Sequence, residues 1–280
     1  MKIVLLTSLS LIAFAGNSIL CRLALGGEAI DAGTFTIVRL ISGIAVLLLI
    51  HRLLTTDNQP KSSGSWKSAV MLFVYALGFS YAYVQMDTGT GALILFAAVQ
   101  LTMITVSLLQ GNRLTRLEAL GAIIAFIGFV YLMLPGVTAP PMGSFFMMLA
   151  AGIAWGLYTL AGKGSTNPIQ DTTFNFVRTL PLVLVLLLVT FSYSQLSTKG
   201  FILAVVSGGL ASGVGYAVWY VALTGLSAIQ AAVLQLLVPL LAALGGVLFA
   251  DEIITSRLAV ATGLILGGIG VVIGGRAKHG

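Results

Sequence analysis

Long runs of apolar residues, separated by short polar connections, dominate the chain. Ten such runs fall at about 3–24, 31–51, 66–86, 88–110, 115–134, 142–163, 170–191, 199–221, 227–249 and 255–275. Each has roughly the 20 residues that an α-helix needs to cross the hydrocarbon core of a bilayer. The longest polar connection lies between His51 and Lys67, and no segment is long enough to form a soluble domain. The pattern predicts ten membrane-spanning helices.

The composition indicates that most of the exterior faces lipid. Of the 280 residues, 58% are hydrophobic and 8% are charged, whereas a soluble domain carries about 25% charged residues because its surface faces water. Only α-helices and closed β-barrels satisfy their backbone hydrogen bonds within lipid. Barrel strands alternate apolar and polar residues, but the runs in this chain are continuously apolar. We therefore predict an all-α integral membrane protein.

The basic residues predict how the helices are oriented. The formal net charge of +6 is spread over the short connections, not concentrated in a block that would favour nucleic acid. With a cytoplasmic N-terminus, the positive-inside rule is satisfied, because most basic residues in the connections then lie inside. The cytoplasmic set is Lys2, Arg52, Lys61, Lys67, Arg113, Arg116, Lys163, Arg276 and Lys278, and the external set is Arg22, Lys199 and Arg257. Both termini are therefore expected in the cytoplasm.

The two halves of the chain resemble each other. The segment from Thr34 to Arg39 in the second run matches the segment from Thr173 to Arg178 in the seventh. Each half contains five runs, an odd number, so the second half enters the membrane from the opposite side. We predict two units, residues 1–135 and 140–276, related as an inverted-topology repeat. Such repeats are typical of secondary transporters, which hold the substrate near the midplane between the two halves.

This organisation resembles the EamA type of the drug/metabolite transporter superfamily. The resemblance covers essentially the whole chain and rests on the five-plus-five arrangement, on an arginine in the second helix of each half, and on a glycine-spaced last helix that follows Arg116-Leu117-Glu118 or Asp251-Glu252. Bacterial aromatic amino acid exporters are the members most relevant for comparison. The resemblance implies a location in the bacterial inner membrane and a central cavity lined by helices 1, 3, 4, 6, 8 and 9. It does not identify the substrate.

We therefore expect a secondary transporter that exports aromatic or apolar amino acids, or related small metabolites, by alternating access. Export of drugs, nucleobases or other metabolites is the alternative. An enzyme is not expected, since the only cysteine is Cys21 and both histidines lie at the ends of spans or in connections, which leaves no nucleophile–base pair and no metal site. No cofactor is expected. The expected partners are the substrate and the lipid bilayer, and both a monomer and a homodimer fit the sequence.

Polar side chains in the middle of apolar runs are candidates for binding the substrate, because polar groups at membrane depth usually face a cavity or another helix. Pro239 lacks an N–H, so the carbonyl of Gln235 loses its usual helix bond. The aromatic residues at positions 75, 79 and 83 share one helix face. The predicted substrate-binding set is Asn17, Tyr75, Phe79, Tyr83, Gln100, Trp155, Tyr158 and Gln235. The alternative is that these residues only pack or tie helices together.

Arg39 and Arg178 are the strong charges within the apolar runs. Their equivalent positions in the two halves suggest a shared structural role, in which they bond helix-end carbonyls while their stems snorkel. Contact with a substrate carboxylate is the alternative. No carboxylate lies at mid-membrane depth, so we expect facilitated diffusion or exchange instead of proton coupling. Pro181 and Pro239 are expected to kink their helices. The residues expected in interfacial aromatic belts are Trp66, Tyr193, Trp219 and Tyr220.

Overall fold

Helices occupy all ten predicted spans. The structure, a computed structural model, describes residues 2–54, 63–109, 116–134, 139–163, 165–226 and 234–277. The first six helices are α1 (Lys2–Leu25), α2 (Ala32–Leu54), α3 (Trp66–Tyr83), α4 (Thr88–Leu109), α5 (Arg116–Met133) and α6 (Met142–Gly162). The start of the ninth predicted span (227–233), the end of the first predicted unit, and the basic residues Lys61, Arg113 and Lys278 lie outside the described residues.

The seventh and eighth spans are each built from several segments. The seventh consists of α7 (Pro168–Val177) and α8 (Leu180–Thr190), followed by a 3-10 turn at Phe191–Tyr193. The eighth consists of α9 (Thr198–Val206), a π-helical segment (Ser207–Val214) and α10 (Gly215–Leu223). The last two spans contain α11 (Leu237–Phe249) and α12 (Ser256–Ala277).

The length and apolar character of the helices identify a membrane protein. Within the described residues, 6 helical stretches are long and apolar enough to cross a bilayer. These are Ile3–Leu25, Ala32–Leu54, Thr88–Val106, Met142–Gly162, Pro168–Tyr193 and Thr198–Leu223, with shorter apolar helices at Leu237–Phe249 and Ser256–Val272. The predicted fold class, an all-α integral membrane protein, is confirmed.

Polar residues between the apolar runs start several helices. Asp31 precedes α2, and its carboxylate accepts a hydrogen bond from the Thr34 amide at 2.9 Å. Ser65 precedes α3, and its hydroxyl accepts from the Ser68 amide at 3.0 Å. The first amides of a helix have no partner within the helix, so these side chains satisfy donors that would otherwise be left unbonded. The polar connections therefore set where these spans begin.

Helix breaks coincide with the two prolines expected to kink the bundle. The seventh span is interrupted at Arg178 and Thr179, and Pro181 is the second residue of α8. At that position the missing N–H costs no intrahelical bond. In the ninth span a turn at Leu236 precedes α11, whose third residue is Pro239.

The helices of the two halves interlock. Helix α5 packs along α12, and α4 packs on α11. Helix α3 of the first half packs on α6 of the second, while α9, the π-helical segment and α10 of the second half pack on α1 of the first. Each contact has an equivalent when the two sets of five spans are exchanged. This is the pairing expected for a five-plus-five repeat, and the inverted relation of the halves stays a prediction.

The bundle has two ends, which we call the Glu252 end (residues 26–31, 84–88, 139–143, 191–197 and 250–255) and the Trp66 end (residues 63–67, 162–163 and 165–168). At the Glu252 end, Arg22 Nε donates to the Glu252 carboxylate at 3.2 Å. The same carboxylate accepts from the Thr88 amide at 2.9 Å. Its negative charge thus lies at the N-terminus of α4, where the helix dipole favours it. These bonds join α1, α4 and the α11–α12 connection.

Candidate functional site

A buried arginine lies at the centre of the bundle, surrounded by hydroxyl groups from other helices. The side chain of Arg39, on α2, is 1% exposed. Its Nε donates a hydrogen bond to Ser212 Oγ in the π-helical segment at 3.1 Å. Its Nη2 donates to the Tyr75 hydroxyl on α3 at 3.1 Å and to the Tyr216 hydroxyl on α10 at 3.0 Å. The arginine therefore connects α2 to α3 and to the eighth span, which is far from both in the chain.

The hydrogen-bonded network extends from Arg39 to α1. The amide nitrogen of Asn17 donates to the Tyr75 hydroxyl at 3.3 Å, and Ser207 Oγ donates to Asn17 Oδ1 at 2.6 Å. The hydroxyls of Tyr216 and Tyr75 are 3.0 Å apart. We call this network the Arg39 cluster; its members are Asn17, Arg39, Tyr75, Ser207, Ser212 and Tyr216, all of them buried.

The positive charge of the Arg39 cluster has no anionic partner among the described residues. The salt bridges found there involve Arg22, and Arg39 bonds only neutral side chains. Its Nη1 is buried and has no hydrogen-bond partner within the same part of the chain. The guanidinium carbon lies 5.2 Å from the ring centre of Tyr75 and 4.9 Å from that of Phe79, so cation–π attraction partly compensates the buried charge.

Aromatic rings form a wall next to the cluster. The ring centre of Trp155 on α6 lies 4.9 Å from that of Tyr75 and 4.6 Å from that of Tyr216. Phe14 on α1 meets Trp155 edge-on at 5.9 Å and Trp219 at 5.5 Å. These separations are typical of attractive aromatic pairs. The wall therefore presents ring faces and edges to the space beside Arg39.

A small closed cavity lies between the aromatic wall and the cluster. Two of the residues that line it, Tyr75 and Tyr216, are hydrogen-bonded to Arg39. The other lining residues are Phe14, Phe79, Leu95, Phe96 and Trp155. The cavity has room for about one water molecule, so a substrate enters only if the surrounding helices move apart.

A much larger opening lies at the Glu252 end of the bundle. Its volume is about 620 Å³, which falls in the range of small-molecule sites. The lining comes from the ends of α1 and α3, from the start of α2 and α6, and from the connection after α8, and it includes Glu28, Asp31, Tyr81 and Tyr193. At the Trp66 end, by contrast, the Ser65 amide donates to Asn175 Oδ1 at 2.8 Å, which joins α3 to α7.

Glycines allow α2 and the π-helical segment to approach closely enough to form the cluster. A Cβ atom at Gly208 would overlap the carbonyl oxygen of Arg39 and the hydroxyl of Ser42. On the α2 side, a Cβ at Gly43 would lie 3.1 Å from the carbonyl oxygen of Gly208 and 2.8 Å from the Phe176 ring on α7. Only residues without a side chain fit at these positions. π-Helical turns within α-helices are frequent at functional sites, and this one carries Ser207 and Ser212.

Comparisons with known proteins identify the family. Residues 142–274 match the EamA-like transporter family. A protein of Pseudomonas aeruginosa, described as uncharacterized, is 49% identical over 275 residues, which cover 98% of this chain and 96% of that protein. The chain belongs to the EamA-like transporter family. An uncharacterized transporter of Archaeoglobus fulgidus is 24% identical over 241 residues, covering 82% of this chain and 83% of that protein.

The fold of this EamA-like transporter is also found in a solved structure. A crystal structure of a protein aligns with a TM-score of 0.64 at 18% identity, and the alignment covers 98% of each chain. At this identity the likeness establishes the fold alone. The family match and the similarity to the Archaeoglobus fulgidus transporter place the chain among the multi-pass transporters of the drug/metabolite transporter superfamily.

The structure of the transporter brings about half of the predicted substrate-binding residues together at the centre. Asn17 and Tyr75 belong to the Arg39 cluster, while Phe79 and Trp155 line the central cavity. Tyr158 contacts the Trp155 ring at 5.5 Å, but it lines a separate small cavity near the Trp66 end. The remaining residues are buried and do not line the central cavity: Tyr83 donates to the Thr88 carbonyl, Gln100 lies in α4, and Gln235 lies two residues before α11.

For Arg39 the predicted role of bonding helix-end carbonyls while its stem snorkels is wrong, and for Arg178 it stays a prediction. Arg39 neither snorkels nor bonds helix-end carbonyls, because it is buried and donates to side-chain hydroxyls. Arg178 is half-buried at the break between α7 and α8, 5.9 Å from the Trp66 ring centre. The two arginines of the matching sequence segments therefore have different surroundings.

The interfacial belt predicted from the ends of the spans is wrong for two of its four members. Trp219 is 0% and Tyr220 is 4% exposed, because α10 packs on α1 and α7. Trp219 contacts Phe14, and Tyr220 contacts Tyr158. Trp66 and Tyr193, at 57% and 80% exposed, are accessible as the belt prediction requires.

Six residues of the site were not predicted from the sequence: Phe14, Leu95, Phe96, Ser207, Ser212 and Tyr216. The repeat offered a signal for Tyr216. In the predicted repeat the eighth span is the counterpart of the third, whose aromatic residues are predicted to bind the substrate. The repeat therefore favours an aromatic residue on the eighth span as well. For the two serines no signal was present, because serines among glycines are common at ordinary helix contacts in membranes.

Proposed function

We propose that this EamA-like transporter exports aromatic or apolar amino acids, or related small metabolites, across the bacterial inner membrane by alternating access. The observation that carries the proposal is the Arg39 cluster beside the aromatic wall. Ligand sites typically combine apolar and aromatic walls with a few placed polar groups. The cluster supplies hydrogen-bond donors for one end of a small molecule, and Phe14, Phe79 and Trp155 supply contact area for its apolar body.

The proposal includes two five-helix units, residues 1–135 and 140–276, as an inverted-topology repeat with both termini in the cytoplasm. The interlocked packing of α3 on α6 and of α10 on α1 supports it. With this orientation the opening of about 620 Å³ faces the outside. Rocking of one unit against the other widens the central cavity and exposes it to each side in turn.

We also propose that transport proceeds by facilitated diffusion or exchange. Proton carriers usually contain a carboxylate at membrane depth, whereas the centre described here contains a guanidinium and hydroxyls. Export of neutral drugs or nucleobases is the rival proposal; it would use the aromatic wall and leave the charge of Arg39 without a part in recognition.

Counterflow in proteoliposomes tests the proposal. Liposomes containing the purified protein and unlabelled substrate are assayed for uptake of radiolabelled Phe, Tyr, Trp, Leu, Met and Thr. Uptake of the aromatic or apolar members is expected. Trp155→Ala should reduce uptake about tenfold, because it removes a ring proposed to contact the substrate, and one aromatic contact is worth up to ~1.5 kcal/mol. Phe146→Ala is the matched control, since Phe146 lies on the same helix and is 56% exposed.

Three outcomes would each contradict a part of the proposal. Silence across the whole amino acid panel, in protein that is monodisperse and unfolds cooperatively, would exclude amino acid export and favour the rival substrates. Equal uptake by Trp155→Ala and the wild type would exclude the aromatic wall as part of the binding site. A robust accumulation driven by a pH gradient would overturn the proposal of uncoupled transport.

A further inference from the structure

We infer that the central site selects small monoanions with an aromatic or apolar body, carboxylates without an ammonium group, over the zwitterionic amino acids of the same shape. This inference rests on the proposed transport function, because it names the substrate class of the same site. Three observations carry it: the uncompensated charge of Arg39, the surplus of hydrogen-bond donors around it, and the chemistry of the residues that line the adjoining cavity.

The first observation is the charge. Arg39 is 1% exposed, and each of its described hydrogen-bond partners is neutral. A buried ion pair is most unfavourable when only one partner is present, because the remaining charge is then uncompensated. A bound monoanion brings the net charge of the site to zero. A bound zwitterion leaves the site with the same net positive charge that it had before.

The second observation is the hydrogen-bond accounting. Arg39 Nη1 is buried with no hydrogen-bond partner among the described residues. The hydroxyls of Tyr75 and Tyr216 both accept from Arg39 Nη2 and share one hydrogen bond between them. Each hydroxyl has a single hydrogen. The Tyr216 hydroxyl donates its hydrogen to Tyr75, so the hydrogen of the Tyr75 hydroxyl has no acceptor among the described hydrogen bonds. An ionised carboxylate only accepts hydrogen bonds and has two oxygens, so it matches these unused donors.

The third observation concerns the ammonium group of an amino acid, whose charge is opposite to that of the carboxylate. None of the residues that line the described central cavity is acidic. The rings of Tyr75 and Phe79 already lie against the Arg39 guanidinium. An ammonium group in this cavity would therefore sit near a like charge and would find no carboxylate. The site offers attraction at the anionic end of a ligand and repulsion at a cationic end.

The position of Arg39 explains how a ligand in the cavity reaches it. Tyr75 and Tyr216 stand between the two, since both line the cavity and both bond Arg39. A carboxylate that enters from the cavity meets these hydroxyls first and the guanidinium next. When the helices separate to admit a ligand, the carboxylate replaces the bond between the two tyrosines and accepts from Arg39.

Three ligands with the same phenyl body test the inference in the wild-type protein. 3-Phenylpropanoate carries a charge of −1, phenylalanine is a zwitterion and 2-phenylethylamine carries +1. We expect 3-phenylpropanoate to compete for binding and to support counterflow at about tenfold lower concentration than phenylalanine. Both ligands offer the same carboxylate to Arg39, but only phenylalanine also brings an ammonium group into a cavity whose lining has no acidic residue. 2-Phenylethylamine should be inactive. A zwitterion that binds as well as, or better than, the carboxylate would overturn the inference.

Variants then assign the preference to Arg39. Arg39→Gln should abolish the advantage of 3-phenylpropanoate over phenylalanine, and Arg39→Lys should retain part of it, because lysine keeps the charge but not the planar fork. Arg178→Gln, at the equivalent position of the second half and outside the cluster, should behave as wild type. If folded Arg39→Gln keeps the full preference for the carboxylate, the assignment is overturned.

The experiment separates failure of the inference from failure of the proposed function. Counterflow of phenylalanine without any advantage for 3-phenylpropanoate would leave transport intact and overturn the inference. If no ligand supports counterflow, the transport proposal fails, and direct binding measured through the fluorescence of Trp155 and its neighbours decides the inference. Preferential binding of the carboxylate over phenylalanine would then support it, and equal binding would overturn it.

Discussion

Arg39 occupies a position that only a planar, branched cation fills. Its Nε and Nη2 atoms reach three acceptors in different directions, on Ser212, Tyr75 and Tyr216. Lysine has a single charged nitrogen and lacks this fixed fork. The hydroxyls of both tyrosines accept hydrogen bonds from the guanidinium. The ring of Tyr75 also lies against the guanidinium. The interactions of each residue in the cluster therefore depend on its neighbours.

The hydroxyl of Tyr216 provides a test of this dependence. Tyr216→Phe keeps the ring but removes an acceptor for Arg39 and a bond to Tyr75, which leaves a buried donor unsatisfied. The expected loss of stability is about 1–3 kcal/mol. It is measured by cooperative unfolding of the detergent-solubilised protein. Tyr81→Phe is the control, because Tyr81 is 36% exposed and surface changes usually stay within ~0.5 kcal/mol. Equal stability of the two variants would show that the cluster contributes nothing net.

Three polar members of the site, Asn17, Arg39 and Tyr75, could be predicted from the sequence, but their partners could not. Asn17 and Tyr75 stand out because polar groups in the middle of an apolar run need a partner or a cavity. The partners of Arg39 lie 36 to 177 positions away along the chain, and no local pattern records such distances. Trp219 shows the same limit. It lies near the end of a span, and only the packing of α10 on α1 reveals that it is buried.

The π-helical segment is the element on which the site depends most. Its wider turn interrupts the eighth span over Ser207–Val214, directly opposite the middle of α2. Its serines bond Asn17 and Arg39, while its glycines admit the backbone of α2. An α-helical register over the same residues would rotate these side chains relative to α2, since each π turn contains an extra residue.

Substitution of Gly208 tests the close approach of the two elements. In Gly208→Ala the new methyl group would overlap the Arg39 carbonyl oxygen and the Ser42 hydroxyl. A backbone carbonyl cannot rotate away, so we expect a loss of about 1–3 kcal/mol together with weakened substrate binding. Gly267→Ala on α12 is the matched control, because no atom lies within 4 Å of a Cβ built there. Thermal unfolding and ligand binding are compared for both variants; a neutral Gly208→Ala would contradict the described packing.

For the helices, the sequence predicted the positions of the spans well and the breaks and turns within the spans only in part. Apolar runs of helical length required helices in lipid, and Pro181 marked the division between α7 and α8. The π-helical segment left no such mark, because its glycines and serines also occur in regular helices that pack closely. The match between the segments that end at Arg39 and Arg178 was a real pattern, yet it did not predict that the two arginines have different surroundings.

The whole molecule is asymmetric although its halves resemble each other. At the Glu252 end α2, α3 and α6 border an opening of about 620 Å³. At the Trp66 end, α3 and α7 are joined by the bond between Ser65 and Asn175 and by the contact between Trp66 and Arg178. In a transporter of inverted repeats, exchanging the conformations of the two halves converts an opening at one end into an opening at the other. This asymmetry makes the orientation of the chain in the membrane decisive for the mechanism.

Single-cysteine labelling tests that orientation. The only native cysteine, Cys21, is 0% exposed, so the wild type gives little background with a membrane-impermeant maleimide, which needs an accessible thiol. Tyr193→Cys places a thiol at the Glu252 end and Trp66→Cys places one at the Trp66 end, at positions where the native side chains are 80% and 57% exposed. Basic residues are in excess at the Trp66 end, so the positive-inside rule places that end in the cytoplasm. We therefore expect Tyr193→Cys to be labelled in intact cells and Trp66→Cys to be labelled only after permeabilisation. The opposite labelling would place both termini outside the cell, and the large opening would then face the cytoplasm, ready to load a substrate for export.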